Sequence, residues 1–268
     1  MVDFTGKESY DVNDLVEIVR LLRAPGGCPW DREQTHESLR RNFLEESYEV
    51  VEAIDQGSTE HLKEELGDVL LQVVFHAGIE TERGGFTLDD VADGICKKLI
   101  YRHPHVFGDV TVSGTGEVLS NWEELKRKEK GQATVTDALD AVARSLPALW
   151  RAEKVQKKAA KAGFDWPEVS GAADKLSEEL SELQAAIEQN TNIEEELGDL
   201  LFSVVNVSRF VKVDPEAALS KAGDKFIRRF CVVEQLALRS GRRMEDMELE
   251  ELDKLWEQAK HDLKADTL

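Results

Sequence analysis

The chain has little cysteine and no long apolar run, and these shortages exclude several classes of protein. Its 268 residues include three scattered cysteines, Cys28, Cys96 and Cys231. Their odd number and spacing indicate neither a disulfide framework nor a metal site, which fits a reducing cytosol. The longest apolar stretch without a charge, residues 69–79, is too short to cross a bilayer. The first residues are polar and acidic, unlike a signal peptide, so we expect a cytoplasmic protein without a membrane partner.

Basic residues are also scarce relative to acidic ones. The sequence has 34 lysines and arginines against 54 aspartates and glutamates, which gives a formal net charge of −20. Nucleic acids and anionic membranes need a basic surface, so neither is expected as a partner. A small anionic ligand is still possible, because a local site can oppose the overall field.

Signals of β-structure and of the common nucleotide-binding loops are missing as well. The sequence contains no Asn-Gly hairpin signal and no sustained alternation of apolar and polar residues. It has no Gly-x4-Gly-Lys-Ser/Thr loop, no Gly-x-Gly-x-x-Gly turn and no Gly-x-Ser-x-Gly elbow. The patterns that are present predict helices only.

An internal repeat organises the chain. The stretch "LEESYEVVEAI" (44–54) recurs as "SEELSELQAAI" (177–187), and "KEELGDVLLQVV" (63–74) recurs as "EEELGDLLFSVV" (194–205). Two copies of one helical unit are therefore predicted. We predict an all-α fold with two tandem helical bundles, at residues 1–130 and 146–268, joined by a linker at residues 131–145.

Helix boundaries follow from capping residues and prolines. The residues predicted to cap helices are Asn13 or Asp14, Thr35, Ser58 or Thr59, Thr87 in a capping box with Asp90, and Asp214. Pro147 and Pro215 are predicted in the first turns of two further helices. Gly57 and the Gly84-Gly85 pair are expected to end helices, and His103-Pro104 to end another.

Carboxylates occupy helix faces that should build the core. In the first repeat they are Glu46 and Glu49 on one helix and Glu65 and Asp68 on the next; in the second they are Glu179, Glu182, Glu196 and Asp199. Carboxylates are rarely buried without partners. One copy would be explained most simply as a solvated acidic face. Two copies at the same spacing favour a site for a hard cation, Mg²⁺ or possibly Mn²⁺, because oxygen ligands suit these ions.

Cations and tryptophans are repeated in the same order. Lys98 and Arg102 correspond to Lys225 and Arg229, and the pair Trp122 and Lys126 corresponds to Trp256 and Lys260. Each residue alone has an ordinary surface or core explanation. Together they provide cations for phosphates and an aromatic surface for a base or sugar. Acidic metal ligands beside such cations indicate a nucleoside triphosphate site.

The combined pattern resembles a known family. Glu-Glu-x-x-Glu followed by Glu-x-x-Asp on a predicted helical bundle is similar to the MazG family of nucleoside triphosphate pyrophosphohydrolases. The stretches "GGCPWD", "ELGDVLLQVV" and "RHPHVFGD" resemble the two-domain bacterial members, and "LPALWRAEKVQKKAAKAGFDW" (146–166) resembles the start of their second domain. The acidic motif alone is shared with all-α dUTPases and the histidine-pathway pyrophosphohydrolase, whereas the tandem arrangement is more specific.

The resemblance implies an activity and a set of site residues. The activity is Mg²⁺-dependent hydrolysis of nucleoside triphosphates to monophosphates and pyrophosphate, with broad base tolerance and a role in cleansing or regulating the nucleotide pool. The resemblance places the main catalytic site in the second copy, where the metal ligands would be Glu179, Glu182, Glu196 and Asp199, and the nucleotide contacts Lys175, Glu178, Lys225, Arg229, Trp256 and Lys260. The first copy would use Glu46, Glu49, Glu65, Asp68, Lys98, Arg102, Trp122 and Lys126.

Two further expectations and one departure from the family pattern accompany the resemblance. Glu178 is our candidate for the group that accepts the proton of the attacking water. Some members carry a lysine four residues before the position of Glu196, where this chain has Asn192. Relatives assemble their bundles across subunits, so a homodimer is expected. The alternative is a non-catalytic helical scaffold or dimerisation protein with degenerate sites.

Overall fold

A computed structural model of the chain describes residues 4–265, with side chains as far as Leu263, and the regular structure of this part is helical throughout. It divides into two compact units, Met1–Lys126 and Arg127–Leu268. The predicted all-α tandem fold is therefore confirmed. The predicted domain bounds stay a prediction, and their outermost residues, 1–3 and 266–268, lie outside the described residues.

The described part of the first unit carries seven helices. They are α1 (Val12–Arg23), α2 (Pro29–Glu33), α3 (His36–Gln56), α4 (Thr59–Glu82), α5 (Leu88–Arg102), α6 (Pro104–Phe107) and α7 (Thr115–Glu129). The last of these crosses the boundary between the units. Helix α4 is the centre of the packing, because α1, α3 and α5 all pack against it.

Side-chain caps determine where these helices begin. Thr35, Ser58 and Thr87 cap α3, α4 and α5 as predicted, each accepting a backbone N–H of the first turn. The predicted cap of α1, Asn13 or Asp14, was wrong by two or three residues. Its cap is Asp11, whose Oδ1 accepts the N–H groups of Asn13 and Asp14 at 2.8 and 3.0 Å.

A two-residue turn folds α3 back against α4. Gly57 adopts φ +66°, a left-handed conformation that glycine takes without steric cost, and its N–H bonds to the carbonyls of Ala53 and Ile54. Ser58 then starts α4 at once. The acidic residues of both helices are therefore held on one antiparallel hairpin.

Apolar packing and two polar links hold α1, α3 and α4 together. Val19, Leu39, Val74, Phe75 and Ile79 form the buried cluster of this unit. At one edge the buried Arg23, a residue only 9% exposed, binds both carboxylate oxygens of Glu82 at 2.8 and 2.9 Å.

A histidine pair forms the second polar link between α3 and α4. His36 Nδ1 lies 2.7 Å from His76 Nδ1, and His36 Nε2 lies 2.7 Å from Glu80 Oε1. The two rings stack with centroids 5.0 Å apart.

The second unit repeats the hairpin and has six helices within the described residues. They are α8 (Val135–Asp140), α9 (Ala148–Lys161), α10 (Val169–Gln189), α11 (Ile193–Phe210), α12 (Pro215–Arg239) and α13 (Leu249–Ala265), with a 3-10 turn at Met244–Asp246. Helix α8 lies inside the interval predicted as a linker, is capped by Thr134 and packs against α9, so this interval is not simply an extended connection. Asp214 caps α12 with Pro215 in its first turn as predicted, whereas Pro147 precedes α9 as its cap residue.

The second hairpin, α10–α11, turns on asparagines. Asn190 and Asn192 have φ of +52° and +50°, the left-handed conformation that asparagine tolerates better than most residues. No helix within residues 4–265 combines the length and apolar content that a membrane crossing needs.

Candidate metal and nucleotide site

Three carboxylates converge on the first hairpin. One oxygen each from Glu46 and Glu49 on α3 and from Glu65 on α4 lie within 4.8 Å of one another. Glu65 is 7% exposed and Glu46 is half-buried, so the cluster sits at the edge of the packed interface. We call Glu46, Glu49, Glu65 and the adjacent Asp68 the first cluster.

The charges of the first cluster repel one another. Burial raises the pKa of Glu46, and the carboxylates of Asp68, Glu49 and Glu65 raise it further. Burial also raises the pKa of Glu65, with a side-chain hydrogen bond and the charge of Glu49 adding to the shift. Carboxylates held this close favour a cation or a proton between them.

A histidine partly compensates this charge. His61 stands one turn before Glu65 on α4, and its Nε2 lies 2.8 Å from Glu65 Oε1. The charge of His61 lowers the pKa of Glu65 and opposes the effect of burial. The sequence analysis missed this contact, although the i, i+4 spacing is visible in the sequence.

The second hairpin brings together a related set. Oxygens of Glu179 on α10 and of Glu196 and Asp199 on α11 lie within 4.8 Å of one another, and Glu179 is 5% exposed. Glu182 stands beside them: it hydrogen bonds to Glu179, and burial raises its pKa. These four residues are the second cluster.

A lysine ammonium contacts the second cluster directly. Lys175 Nζ lies 2.7 Å from Glu179 Oε1 and 2.9 Å from Glu178 Oε1. The hydrogen bond to Glu179, followed by that to Glu178, raises the pKa of Lys175 above its ordinary value of 10.5. The predicted nucleotide contacts Lys175 and Glu178 are therefore bonded to each other in this structure.

Cations and tryptophans meet on the outer helices of each unit. In the first unit the guanidinium carbon of Arg102 lies 5.4 Å from the ring centroid of Trp122, and Lys126 Nζ lies 4.8 Å from the same centroid. In the second, Arg229 lies 5.8 Å from the Trp256 ring, and Phe226 packs on that ring at 5.2 Å. The aromatic contact of Phe226 was not foreseen.

The remaining predicted nucleotide contacts are either exposed or paired with a carboxylate outside the two clusters. Lys98 and Lys225 are exposed, and Lys260 forms an ion pair with Glu257 at 2.5 Å. Within each unit the carboxylates and the cation–tryptophan group are carried by different helix pairs, α3–α4 and α10–α11 for the former, α5–α7 and α12–α13 for the latter.

The donor chemistry of both clusters suits a divalent cation. Three carboxylate oxygens in mutual reach, two of them from one helix in each case, form the oxygen-only ligand set that hard ions take while keeping several waters. A fourth carboxylate accompanies each triad: the charge of Asp68 raises the pKa of Glu46 in the first cluster, and Glu182 hydrogen bonds to Glu179 in the second.

Comparisons with known proteins identify one protein family. The chain matches the MazG nucleotide pyrophosphohydrolase domain twice, at residues 34–107 and 169–232. It is 49% identical to the nucleoside triphosphate pyrophosphohydrolase/pyrophosphatase MazG of Thermotoga maritima, over 92% of this chain and 94% of that protein. It is 44% identical to the nucleoside triphosphate pyrophosphohydrolase of Escherichia coli K12, over 93% of this chain and 97% of that protein.

Both matched segments contain an acidic hairpin. Residues 34–107 include α3 and α4 with the first cluster, and residues 169–232 include α10 and α11 with the second. The match is therefore to the parts of the chain that carry the converging carboxylates. The chain belongs to the MazG nucleotide pyrophosphohydrolase family.

Proposed function

We propose that the protein hydrolyses nucleoside triphosphates to nucleoside monophosphates and pyrophosphate in the presence of Mg²⁺, with Mn²⁺ as a substitute. The observation that carries the proposal is the second cluster, in which three carboxylates converge beside Lys175 in a chain of this family. Two of its relatives, from Thermotoga maritima and Escherichia coli, carry the activity in their names.

The residues of the second unit divide between metal, phosphates and base. Glu179, Glu196 and Asp199 would hold the ion, with Glu182 beside them. Lys175, Lys225, Arg229 and Lys260 would neutralise the phosphates, and Trp256 would lie against the base or sugar. When bound, Mg²⁺ offsets the negative charge on the triphosphate and on the leaving pyrophosphate. In the first unit Lys98, Arg102, Trp122 and Lys126 would take the corresponding positions.

The chain's own part in the chemistry is orientation and proton transfer. Water attacks the α-phosphorus, the bond from this phosphorus to the bridging oxygen breaks, and pyrophosphate leaves with the bonding electrons. Glu178 would accept the proton of the water, because its carboxylate is exposed next to the buried Glu179. The cations stabilise the charge that develops on pyrophosphate, so positioning and electrostatics supply most of the rate.

A nucleotide panel tests the proposal. Purified protein is incubated with each common NTP and dNTP, and the release of pyrophosphate and of phosphate is measured separately. We expect pyrophosphate with Mg²⁺ or Mn²⁺, loss of activity on chelation, and no support by Ca²⁺, which is larger and prefers more ligands. Phosphate in place of pyrophosphate, or full activity after exhaustive chelation, would contradict the proposal. No release from any nucleotide would favour the non-catalytic scaffold.

We also propose that the protein is a homodimer. Both units leave large apolar side chains exposed on their outer helices, among them Ile95 and Leu99 on α5 and Phe226 and Ile227 on α12. A second copy of the chain would cover part of this surface, as expected for relatives that assemble bundles across subunits. Light scattering at micromolar concentration should give twice the mass of one chain, and a monomer mass would refute the dimer.

A further inference from the structure

Helix α4 carries a buried glutamine one turn beyond the first cluster. Gln72 is only 7% exposed, and within residues 4–263 its side-chain Oε1 has no hydrogen-bond partner. A buried amide oxygen without a donor costs free energy, and in folded proteins a water or a ligand usually supplies the donor that the chain does not. Packing alone therefore does not explain why a glutamine stands at this position.

Contacts on either side of Gln72 fix the face of α4 on which it lies. Before it, Glu65 hydrogen bonds to Glu49 of α3. After it, His76 packs against Phe43 of α3, with the ring centroids 6.0 Å apart. The spacings of seven residues from Glu65 and four residues to His76 place all three side chains on one helix face. Gln72 therefore faces α3, between the first cluster and the histidine ring.

The direction of helical side chains brings the amide toward the first cluster. A side chain on a helix leans toward the N-terminus and covers the preceding turn. For Gln72 this turn holds Asp68, four residues earlier, whose charge acts on Glu46. An amide oxygen accepts hydrogen bonds and cannot donate them. It therefore cannot pair with an ionised carboxylate or with a phosphate oxygen, and it needs an O–H or N–H donor.

Water on a divalent cation is a donor that fits this place. Mg²⁺ or Mn²⁺ held by a few carboxylates keeps several waters, and the charge of the ion makes their O–H groups strong donors. Groups behind the direct ligands that accept such hydrogen bonds orient the site and raise the affinity for the metal. The carboxylates of the first cluster supply charge, and a neutral acceptor beside them would supply direction.

We infer that Gln72 is a positioning residue of the first cluster, whose amide oxygen accepts a hydrogen bond from a water on the bound cation. The inference rests on the proposed function, because it needs a divalent cation at this cluster. The second unit has no amide there: Ser203 stands at the corresponding position, four residues after Asp199, and is also 7% exposed. Its hydroxyl is attached directly to Cβ and reaches less far than the amide of Gln72.

Gln72→Met tests the inference, because methionine keeps the length of the side chain and removes its amide. In the Glu196→Gln background, which disables the second cluster, Mn²⁺ binding to the first is followed by electron paramagnetic resonance of the free aqueous ion. We expect Gln72→Met to weaken this binding about tenfold. Without metal, the same variant should melt about 2–4 °C higher, because the unpartnered oxygen is gone. A purely structural glutamine would give a variant that melts lower.

Gln156→Met is the matched control. Gln156 of α9 is 6% exposed, and its Oε1 also lacks a partner in the described part of the chain, although its Nε2 donates to the carbonyl of Phe202 at 2.8 Å. It lies in the second unit, so the same substitution there should leave Mn²⁺ binding to the first cluster unchanged. A tenfold loss from this control as well would overturn the inference. Gln72→Leu supplies a second apolar variant if Gln72→Met does not fold.

Two results with Gln72→Met would reject the inference and leave the proposed function intact. Unchanged affinity for Mn²⁺ alone would exclude a hydrogen bond from a metal-bound water. Unchanged affinity for Mn²⁺ together with weaker binding of an α,β-methylene triphosphate analogue would assign the donor to the nucleotide. By contrast, Mn²⁺ that stays free with the unsubstituted chain, with and without the analogue, would mean that the proposed function itself has failed.

Discussion

The α3–α4 hairpin of the first unit and the α10–α11 hairpin of the second place carboxylates at the same repeat positions and surround them differently. Glu65 is contacted by a histidine of its own helix, and Glu179 by a lysine of its own helix. The turns differ too, with glycine in the first hairpin and two asparagines in the second. The two hairpins therefore keep the carboxylates and change the residues that contact them, and four sets of substitutions compare the two units.

The largest expected effect is on the reaction rate. Glu196→Gln keeps the size of the side chain but removes one ligand charge from the second cluster, and Glu65→Gln does the same in the first. Loss of an anionic metal ligand should reduce kcat/KM by about 10²-fold or more at the working site. We expect this for Glu196→Gln and a small change for Glu65→Gln in a pyrophosphate-release assay. The reverse result would move catalysis to the first unit, and equal partial losses would indicate two working sites.

The next effect is on stability and compares the buried Arg23 of the first unit with the half-buried Arg209 of the second. Arg23 binds Glu82 and also donates to the carbonyls of Asp31 and Gln34 at 2.6 and 3.3 Å. Arg23→Met should lower the free energy of unfolding by about 2–3 kcal/mol, because those carbonyls lose their donor and the ion pair is broken. Urea unfolding at pH 7 measures this loss of stability.

Arg209→Met is the matched variant in the second unit. Arg209 binds Asp165 at 2.8 and 2.5 Å and Asn206 at 2.8 Å, and we expect a loss of about 1–2 kcal/mol. The hydrogen bond from Arg209 lowers the pKa of Asp165 below its ordinary 3.8. The stabilisation from this ion pair is therefore complete above pH 3.8 and disappears as the pH falls through the lowered pKa of Asp165. Equal costs for the two variants at pH 7 would show that the backbone contacts of Arg23 add nothing.

A smaller effect is expected on substrate affinity. Trp256→Leu removes the ring contacted by Arg229 and Phe226, whereas Trp122→Leu removes the ring between Arg102 and Lys126. Stacking of a base on an aromatic side chain contributes on the order of 1–3 kcal/mol, so Trp256→Leu should raise KM about tenfold or more. The value of kcat should change little, and Trp122→Leu should leave both constants near normal. A fall in kcat with unchanged KM would argue against a base-binding role for Trp256.

The smallest effect is a change in the pH dependence of stability. Five of the six histidines precede residue 127, and the paired His36 and His76 are among them. Burial, followed by the charge of His36, lowers the pKa of His76 below its ordinary 6.5. The folded state thus favours neutral His76, and the protein should lose stability as pH falls from about 6.5 toward the lowered value. His76→Asn, which does not titrate, should show a shallower loss in urea titrations between pH 7 and 5.5; parallel curves would contradict the assignment.

Much of the fold could be predicted because its signals are local. The repeat, the hairpin turn at Gly57 and the caps Thr35, Ser58 and Thr87 each depend on a few neighbouring residues. The α1 cap was missed because Asp11 offers the same carboxylate as Asp14 a few residues earlier, and only the backbone conformation at Asp11, φ −115°, distinguishes them.

The candidate site was predictable in its residue types but not in its detailed geometry. Helical periodicity places four carboxylates on one hairpin, yet it does not say which three oxygens meet. The triad includes Glu49 in the first unit and Asp199 in the second, whereas the corresponding Glu182 and Asp68 lie outside it. The location in the cytoplasm and the absence of nucleic-acid partners stay predictions from charge and composition.

The short connection inside the first hairpin has a consequence for folding kinetics. Helices α3 and α4 are joined only by Gly57 and Ser58, so the first cluster is assembled by contacts close in sequence. Forming such contacts costs little loop-closure entropy, so we expect them to form early in folding. The hairpin also brings like charges together as it closes, which opposes early collapse most strongly at low ionic strength. Refolding should therefore accelerate with added salt, and a divalent ion should accelerate it more than sodium chloride of equal ionic strength.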